Sequence, residues 1–204
     1  LIGGVDTDYK KRQLFRKKYD LDTFSNINEI DRKKIDLLIL CTPYETHFIL
    51  LKEVLKKFKI KVILCEKPFT DNVKNAKKIK SIIRNKKVKI FINYSRISDI
   101  STDFIKKKIL NKKNLIGKVF YSKSLINNCS HFINLFKLFL GNPVKYELIS
   151  KKKNIFRLKF KNAIVDFCKK DQFKSNNFFL YNNEFKLEYR INNDHIVLFK
   201  NNNK

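Results

Sequence analysis

Apolar runs of strand length alternate with segments of helical period over the first 92 residues. Residues 35–41, IDLLILC, are the clearest run, and Phe48, Leu51, Leu55 and Phe58 then recur at helical spacing. The predicted strands are 1–6, 35–41, 62–65 and 88–92, and the predicted helices are 8–19, 26–33, 44–58 and 71–84. Because the strands are apolar rather than alternating, they favour a parallel sheet covered by helices on both faces, in a doubly wound α/β layer.

The regular alternation of predicted strands and helices ends after residue 93. Helices are predicted over 99–110 and 130–140, the second one ending at Gly141-Asn142-Pro143, and an extended segment over 118–126. Further strands are predicted over 144–150, 154–160, 163–168, 178–181, 184–190 and 195–200, before a frayed tail at 201–204. They indicate an antiparallel meander with a hairpin turn at Asn182-Asn183. The predicted fold class is α/β, with a partial Rossmann domain over 1–95 and a shortened α+β domain with a mostly antiparallel sheet over 96–204.

The net charge of +27 suggests nucleic-acid binding. However, 39 of the 46 basic residues are Lys, spread along the whole chain, whereas specific recognition favours Arg. We therefore predict solvated Lys-rich surfaces and no specific nucleic-acid partner. Nucleic-acid binding is kept as an alternative hypothesis, which predicts an affinity that falls steeply as the salt concentration rises. The four cysteines form no CxxC pair, which favours reduced thiols in the cytoplasm. No apolar run approaches the roughly 20 residues of a membrane span, so no membrane partner is expected.

Asp6 ends the first predicted strand, where an acidic residue can hydrogen-bond the ribose hydroxyls of a dinucleotide. The alternative is a helix N-cap, because Asp6 and Asp8 flank a helix start. The four glycines, at 3, 4, 117 and 141, cannot form the Gly-rich loop that cradles a pyrophosphate. If residues 1–6 are the second strand of a Rossmann unit, we expect that loop in a strand and helix of roughly 30 residues upstream.

Two turns follow predicted parallel strands, where open α/β sheets bind ligands. The first is Cys41-Thr42-Pro43, with His47 on the next helix, and the second is Cys65-Glu66-Lys67-Pro68. Later segments continue the order: Asn93 and Arg96, Gly117-Lys118-Val119, and His131 on a helix that ends in Leu140-Gly141. In this order the chain resembles the glucose–fructose oxidoreductase and inositol dehydrogenase family (Gfo/Idh/MocA), from residue 1 to about 145.

The resemblance implies a role for each matching residue. Lys67 would act at the substrate hydroxyl that loses or gains a proton, although without this motif it reads as one more surface lysine. Pro68 would fix the turn, in many members as a cis peptide, and Glu66 would orient Lys67 or contact the nicotinamide side. Cofactor binding is implied for Asp6, Thr42, Pro43, His47, Glu66, Lys67 and Pro68, and substrate binding for Asn93, Arg96 and Asn127.

His131 matches the catalytic His of the family, a general acid or base; the alternative is a structural histidine on a helix face. Family members often carry Asp where this chain has Asn127 and Asn134. Asn cannot take a proton or raise the basicity of an imidazole as a carboxylate does. Catalysis therefore rests on Lys67 and His131 alone, has weakened, or is lost. The shortened second domain also departs from the family, and it leaves homo-oligomer formation open.

The resemblance therefore implies an NAD(P)-dependent oxidoreductase that transfers hydride to or from a small carbohydrate, namely a sugar, sugar nucleotide or cyclic polyol. The alternative is a non-catalytic dinucleotide-binding relative that acts as an assembly or regulatory subunit. Asp6 favours NAD, whereas Lys10, Lys11 and Arg12 could receive the 2′-phosphate of NADP. No metal site is expected.

Overall fold

The computed structural model describes residues 2–31, 34–170, 176–190 and 195–200, with side chains described as far as residue 190. The chain divides into two compact units, residues 1–93 and 94–204. The division lies two residues before the predicted end of the first domain. Within the described residues, no helix is both long and apolar enough to cross a membrane.

Two parallel sheets and three α-helices make up the described residues of the first unit. Its elements are β1 (Gly3–Val5), α1 (Tyr9–Tyr19), β2 (Asp22–Phe24), β3 (Lys34–Leu40), α2 (Tyr44–Lys57), β4 (Lys59–Glu66), α3 (Val73–Ile83) and β5 (Lys89–Asn93). β1 pairs with β2, and a three-stranded sheet has the order β3-β4-β5. The predicted Rossmann-type parallel sheet is thereby confirmed. Residues 26–33, predicted as a short helix, form only a 3₁₀ turn over Ile27–Glu29, and residues 32–33 lie outside the described part.

Helices cover only one face of the three-stranded sheet in the part of the chain that the structure describes. Ile63 and Cys65 on one face of β4 are fully buried in a core to which α2 and α3 contribute. On the other face, Leu37 and Ile39 of β3 are each 53% exposed and Phe91 of β5 is 55% exposed. The prediction of cover on both faces is therefore wrong for these residues. The apolar strand pattern reports what the sheet can bury, whereas actual burial needs a second layer.

The second unit is built on one seven-stranded sheet. Its elements are α4 (Ile100–Ile109), β6 (Leu115–Tyr121), α5 (Ser130–Leu140), β7 (Lys145–Ser150), β8 (Ile155–Phe160), β9 (Ala163–Lys169), β10 (Asn177–Asn182), β11 (Phe185–Arg190) and β12 (His195–Lys200). The predicted hairpin between β10 and β11 is confirmed, with its turn at Asn183-Glu184, one residue later than expected. The predicted tail at 201–204 lies outside the described residues.

The strand order of this sheet is β12-β11-β10-β6-β9-β8-β7. The mostly antiparallel sheet is confirmed, but β6 is inserted between β9 and β10, antiparallel to β10 and parallel to β9. The predicted meander is therefore wrong at this one place. Gly117 makes this position possible: a Cβ atom there would lie 2.9 Å from Val165 Cγ2 and 3.2 Å from Leu180 Cδ2. The extended segment predicted over 118–126 is shorter, because β6 ends at Tyr121 and a π-helical turn over Leu125–Cys129 leads into α5.

An aromatic core joins α5 to the inner face of this sheet. Phe136 of α5 is fully buried and contacts Phe167 and Phe178 with ring centroids 5.9 and 5.1 Å apart. Phe167 in turn stacks on Phe156 at 4.8 Å with an interplanar angle of 3°. This core fixes α5, and with it His131 near the start of that helix.

Candidate active site

The carboxyl ends of β3, β4 and β5 meet at one edge of the parallel sheet. The strand register pairs Leu40 with Cys65, Cys65 with Ile92, and Glu66 with Asn93. The residues that follow β3 and β4 are therefore placed at the edge where open α/β sheets bind ligands. The two turns selected from the sequence, 41–43 and 65–68, both begin there.

Glu66 and Asn93 form a hydrogen-bonded pair at this edge. The Asn93 side-chain amide donates to Glu66 Oε1 over 2.6 Å, and both side chains are partly buried. An ionised carboxylate is a strong acceptor for an amide, so this bond fixes the direction of the Glu66 carboxylate. The family resemblance implies separate roles for these residues, Glu66 at the cofactor and Asn93 at the substrate. The structure brings them into direct contact, and their predicted roles stay predictions.

Lys67 follows Glu66 immediately and is partly buried. The peptide bond from Lys67 to Pro68 is cis, as the resemblance led us to expect of this turn. The turn thus begins from the fixed end of β4 and passes through a proline with a restricted φ angle. Lys67 lies between two residues whose positions are fixed by hydrogen bonds: Glu66 is bonded to Asn93, and the Pro68 carbonyl oxygen lies against His47.

His47 of α2 connects this turn to the preceding one. Its side chain is fully buried, with Nε2 2.8 Å from the carbonyl oxygen of Thr42. Its Nδ1 lies 3.0 Å from the carbonyl oxygen of Pro68 and 3.3 Å from that of Phe69. The imidazole therefore links the backbones of the two turns, 41–43 and 65–68. Both lie at the edge of the sheet where the carboxyl ends of β3, β4 and β5 meet, which we call the ligand edge. Its predicted contact with the cofactor stays a prediction, whereas its contact with both turns is direct.

The Thr42-Pro43 turn also holds the start of α2. The hydroxyl groups of Thr42 and Thr46 lie 2.9 Å apart, and Thr46 Oγ1 donates to the Pro43 carbonyl oxygen over 2.7 Å. Pro43 has no N–H group to leave unsatisfied at a helix start. The side chains of Thr42 and Pro43 are thus presented on a turn whose backbone is fixed from both sides, by Thr46 and by His47.

The two cysteines at this edge are unreactive thiols. Burial, with a smaller contribution from the Glu66 carboxylate, raises the pKa of Cys65 to about 12. Burial also raises the pKa of Cys41, again with a contribution from Glu66. Since the thiolate is the nucleophile, both groups stay protonated near neutral pH and offer no covalent chemistry. All four cysteines of the chain are free.

Asp6 lies directly after β1, in the two-stranded sheet. Its carboxylate accepts a hydrogen bond from the backbone N–H of Asp8 over 2.8 Å. The N-cap of α1 is Asp8 itself, whose Oδ1 accepts from Lys10 N and Lys11 N. Asp8, and not Asp6, is therefore the N-cap of α1. Arg12 donates to the backbone carbonyl oxygens of Asp6 and Thr7, over 2.8 and 3.1 Å.

Three predicted residues, Arg96, Asn127 and His131, belong to the second unit. Arg96 lies in a 3₁₀ turn over Ser95–Ser98, and its carbonyl oxygen accepts from Thr102 Oγ1 over 2.7 Å. Asn127 is exposed in the π-helical turn before α5. His131 is partly buried on the first turn of α5.

Tyr94 is a site residue that the sequence reasoning missed. Its ring packs edge-on against that of His131, with centroids 5.8 Å apart and an interplanar angle of 88°. Burial raises the pKa of Tyr94, and a hydrogen bond with Ser130 lowers it in part. The signal was its position between Asn93 and Arg96, two residues already selected. A phenol against the imidazole edge restricts the orientation of the His131 ring.

These residues can be tested against a dinucleotide. A carboxylate at the end of β1 suits ribose hydroxyls, and the turns after β3 and β4 supply hydroxyl, carboxylate and ammonium groups at the ligand edge. The 204-residue sequence contains no Gly-rich loop, so no pyrophosphate contact is assigned. The residues present therefore fit the ribose and nicotinamide ends. Within the described part of the chain, no group of three or more His, Cys, Asp or Glu side chains could hold a metal ion.

The sequence of the first unit matches the model of a known protein family. Residues 1–94 match the GFO_IDH_MocA family model, described as an oxidoreductase family with an NAD-binding Rossmann fold. No curated protein matches the sequence. The matched family binds NAD, which agrees with the cofactor expected from the sequence.

Solved structures resemble the whole chain at low sequence identity. The WlbA dehydrogenase from Bordetella pertussis, in complex with NADH and UDP-GlcNAcA, has a TM-score of 0.79 at 13% identity, covering 99% of this chain and 70% of that one. The UDP-N-acetylglucosamine 3-dehydrogenase GnnA from Acidithiobacillus ferrooxidans has 0.76 at 12%, covering 98% and 72%. The myo-inositol 2-dehydrogenase from Lactobacillus plantarum has 0.76 at 15%, covering 92% and 68%. At such identities the likeness shows a shared fold.

Proposed function

The first unit of this protein belongs to the Gfo/Idh/MocA oxidoreductase family, and we propose that the protein transfers hydride between a nicotinamide cofactor and a small carbohydrate. The observation that carries the proposal is the ligand edge itself, where Glu66 is held by Asn93 and the Lys67-Pro68 turn is held by His47. The substrate class we propose is a sugar, sugar nucleotide or cyclic polyol. It is supported by the UDP-GlcNAcA complex and the inositol dehydrogenase among the similar folds.

The bound nicotinamide would supply the hydride acceptor or donor. Lys67 would act on the substrate oxygen: its ammonium donates a proton to the oxygen in reduction, and its amine receives one in oxidation. In both directions the positive charge would stabilise the alkoxide character that develops on that oxygen. Glu66 would keep the ammonium close by charge attraction, with its own direction set by Asn93. Thr42, Pro43 and Pro68 would line the cofactor from turns with a fixed backbone.

His131 is the second proposed proton-handling group. Tyr94 restricts its ring by an edge-on contact at 5.8 Å. Asn127 and Asn134 replace the carboxylates that would raise the basicity of an imidazole. We therefore assign most of the acid–base function to Lys67 and a supporting part to His131. Arg96 and Asn127 are proposed to contact the substrate, and Asp6 the adenine ribose of NAD.

Lys67→Ala tests this assignment. We expect turnover on an identified carbohydrate to fall by about 10²-fold or more, the usual range for removing a positioned acid–base group. NADH binding, measured by fluorescence titration, should weaken much less than turnover, because the proposed contact of Asp6 with the ribose is unchanged. Lys74→Ala on the exposed side of α3 is the matched control. If Lys67→Ala turns over as fast as the control, the role of Lys67 is wrong.

A non-catalytic dinucleotide-binding subunit is the second candidate function. The observation in its favour is that Asn stands at both 127 and 134, so neither position supplies a carboxylate. This candidate predicts that NADH binds but that no carbohydrate in a screen of sugars, sugar nucleotides and polyols is oxidised or reduced. Measured turnover on any member of that screen, abolished by Lys67→Ala, would eliminate it.

A further inference from the structure

The loop of residues 6–8, between β1 and α1, is held by hydrogen bonds at each of its three positions. Asp6 N donates to the Phe24 carbonyl oxygen over 3.1 Å, which extends the pairing of β1 with β2 by one residue. Asp8 N donates to Asp6 Oδ1 over 2.8 Å. The carbonyl oxygens of Asp6 and Thr7 both accept from Arg12. A loop fixed in this way presents its side chains in a set direction.

Arg12 of α1 supplies the two hydrogen bonds that come from outside the loop and its sheet. Its Nη1 atom lies 2.8 Å from the Asp6 carbonyl oxygen and 3.1 Å from that of Thr7, and the side chain is partly buried. The guanidinium carbon also lies 5.5 Å from the centroid of the Tyr9 ring. Because the donor is charged, these bonds are stronger than ordinary amide–carbonyl bonds. The guanidinium group therefore acts within its own domain.

The sequence alone allowed another role for Arg12, since Lys10, Lys11 and Arg12 could receive the 2′-phosphate of NADP. Nη1 carries two N–H groups, and the loop offers two carbonyl oxygens to them. Turning this nitrogen toward a phosphate would take the donor away from both carbonyl oxygens. The observed contacts favour a residue that holds the loop over one that binds the phosphate.

The Asp6 carboxylate keeps one oxygen for a ligand. Oδ1 accepts from Asp8 N, whereas Oδ2 has no hydrogen bond within the described residues, and the side chain is partly exposed. A carboxylate oxygen has two acceptor positions and suits the hydroxyl groups of a ribose. The same negative charge repels a 2′-phosphate, and Asp8 adds a second carboxylate two residues away.

We propose that Arg12 is a positioning residue for cofactor selection. By holding the backbone of residues 6 and 7, it keeps the Asp6 carboxylate directed at the adenine ribose, and the protein thereby prefers NAD to NADP. This inference rests on the proposed function, in which Asp6 contacts that ribose. It requires that the effect of Arg12 on cofactor preference passes through Asp6.

The experiment is fluorescence titration of the intact protein with NADH and, separately, with NADPH. We expect NADH to bind about tenfold more tightly or better, because the phosphate of NADPH meets the carboxylate. Arg12→Met should weaken NADH about tenfold and NADPH less than about threefold, because the ribose loses a preorganised acceptor. Arg16→Met, exposed one turn later on α1, removes the same charge away from the loop and should change either affinity less than about twofold.

Two further variants separate positioning from a general structural effect. Asp6→Asn should reduce the preference for NADH by itself, and Arg12→Met should then add little, because both changes act on one contact. Arg12→Lys has a shorter reach to the carbonyl oxygens and should reduce the preference by a smaller factor. It replaces Arg12→Met in the comparison if circular dichroism shows that variant to be unfolded.

Four results would overturn the role of Arg12. They are equal weakening of NADH and NADPH by Arg12→Met, a larger loss for NADPH, a full effect of Arg12→Met in the Asp6→Asn background, and the same result for Arg12→Met and Arg16→Met. NADPH binding as tight as NADH in the unmodified protein would assign the phosphate to Lys10 and Lys11 and overturn it too.

Failure of the proposed function gives a different pattern. If Asp6→Asn leaves both dissociation constants unchanged, the ribose contact assigned to Asp6 is wrong. If neither cofactor binds the intact protein, the proposed hydride transfer is contradicted, and the inference on Arg12 falls with it. A preference for NADH that survives Arg12→Met but not Asp6→Asn overturns the role of Arg12 alone.

Discussion

Replacing His47 by Leu tests whether this residue holds the ligand edge together. The imidazole is fully buried and lies within 3.0 Å of the carbonyl oxygens of Thr42 and Pro68. Leucine fills a similar volume but donates no hydrogen bond. The substitution therefore removes the link between the two turns while largely preserving the packing of α2 against β4.

The expected magnitude follows from the carbonyl groups left behind. A buried polar group that loses its hydrogen-bond partner costs about 1–3 kcal/mol. Because a neutral imidazole carries a single N–H group, it donates to one of the two carbonyl oxygens at a time, and one such loss is counted. We therefore expect a loss of about 1–3 kcal/mol in the free energy of unfolding of the first unit. That is a large share of the roughly 5–15 kcal/mol typical of a domain.

Urea unfolding combined with hydrogen exchange detects this effect locally. Peptides that cover residues 41–69 should exchange faster in His47→Leu, and the unfolding midpoint of the first unit should fall. Lys56→Gln, on the exposed side of the same helix, is the matched control and should change little. A free energy of unfolding for His47→Leu within about 0.5 kcal/mol of the control would refute the argument.

Two further predictions concern the second unit. The pKa of Glu147 lies below its ordinary value of 4.5, chiefly because Lys159 donates a hydrogen bond to its carboxylate. The contribution of this carboxylate to stability is therefore present above pH 4.5 and is lost as the pH falls through the lowered pKa. The difference in urea midpoint between the protein and Glu147→Gln should accordingly shrink on acidification, and an unchanged difference would contradict this. Gly117→Ala should destabilise the unit by about 1–3 kcal/mol, because its Cβ would lie 2.9 Å from Val165 Cγ2, whereas Ile116→Val on the exposed face should change the melting temperature little.

Local patterns were sufficient for the class of the fold. The run over residues 35–41 predicted β3, and the helical spacing after it predicted α2, to within a residue or two at each end. Short-range chemistry explains this success: strand and helix periods, proline at a helix start and Gly141 after a helix end are properties of neighbouring residues. The order of the turns at 41–43 and 65–68 was likewise readable from the chain alone.

Non-local pairing was decided only by the tertiary structure. Nothing in the sequence of β6 shows that it separates β9 from β10, because each of these strands could pair with any neighbour of matching register. The three-residue strand β2 was missed for a related reason, since DTF carries no periodicity and is a strand only by pairing with β1. The exposed face of Leu37 and Ile39 was also invisible, because apolarity does not reveal which layer covers it.

The candidate site divides in the same way. The sequence determined which residues carry chemistry, since Glu66, Lys67 and His131 are recognisable by type and order. The structure decided how they are held: Asn93 orients Glu66, His47 joins the turn at 41–43 to the turn at 65–68, and Tyr94 restricts His131. Residue identity is local information, whereas a hydrogen bond between strand ends depends on the register of the whole sheet, which only the folded chain fixes.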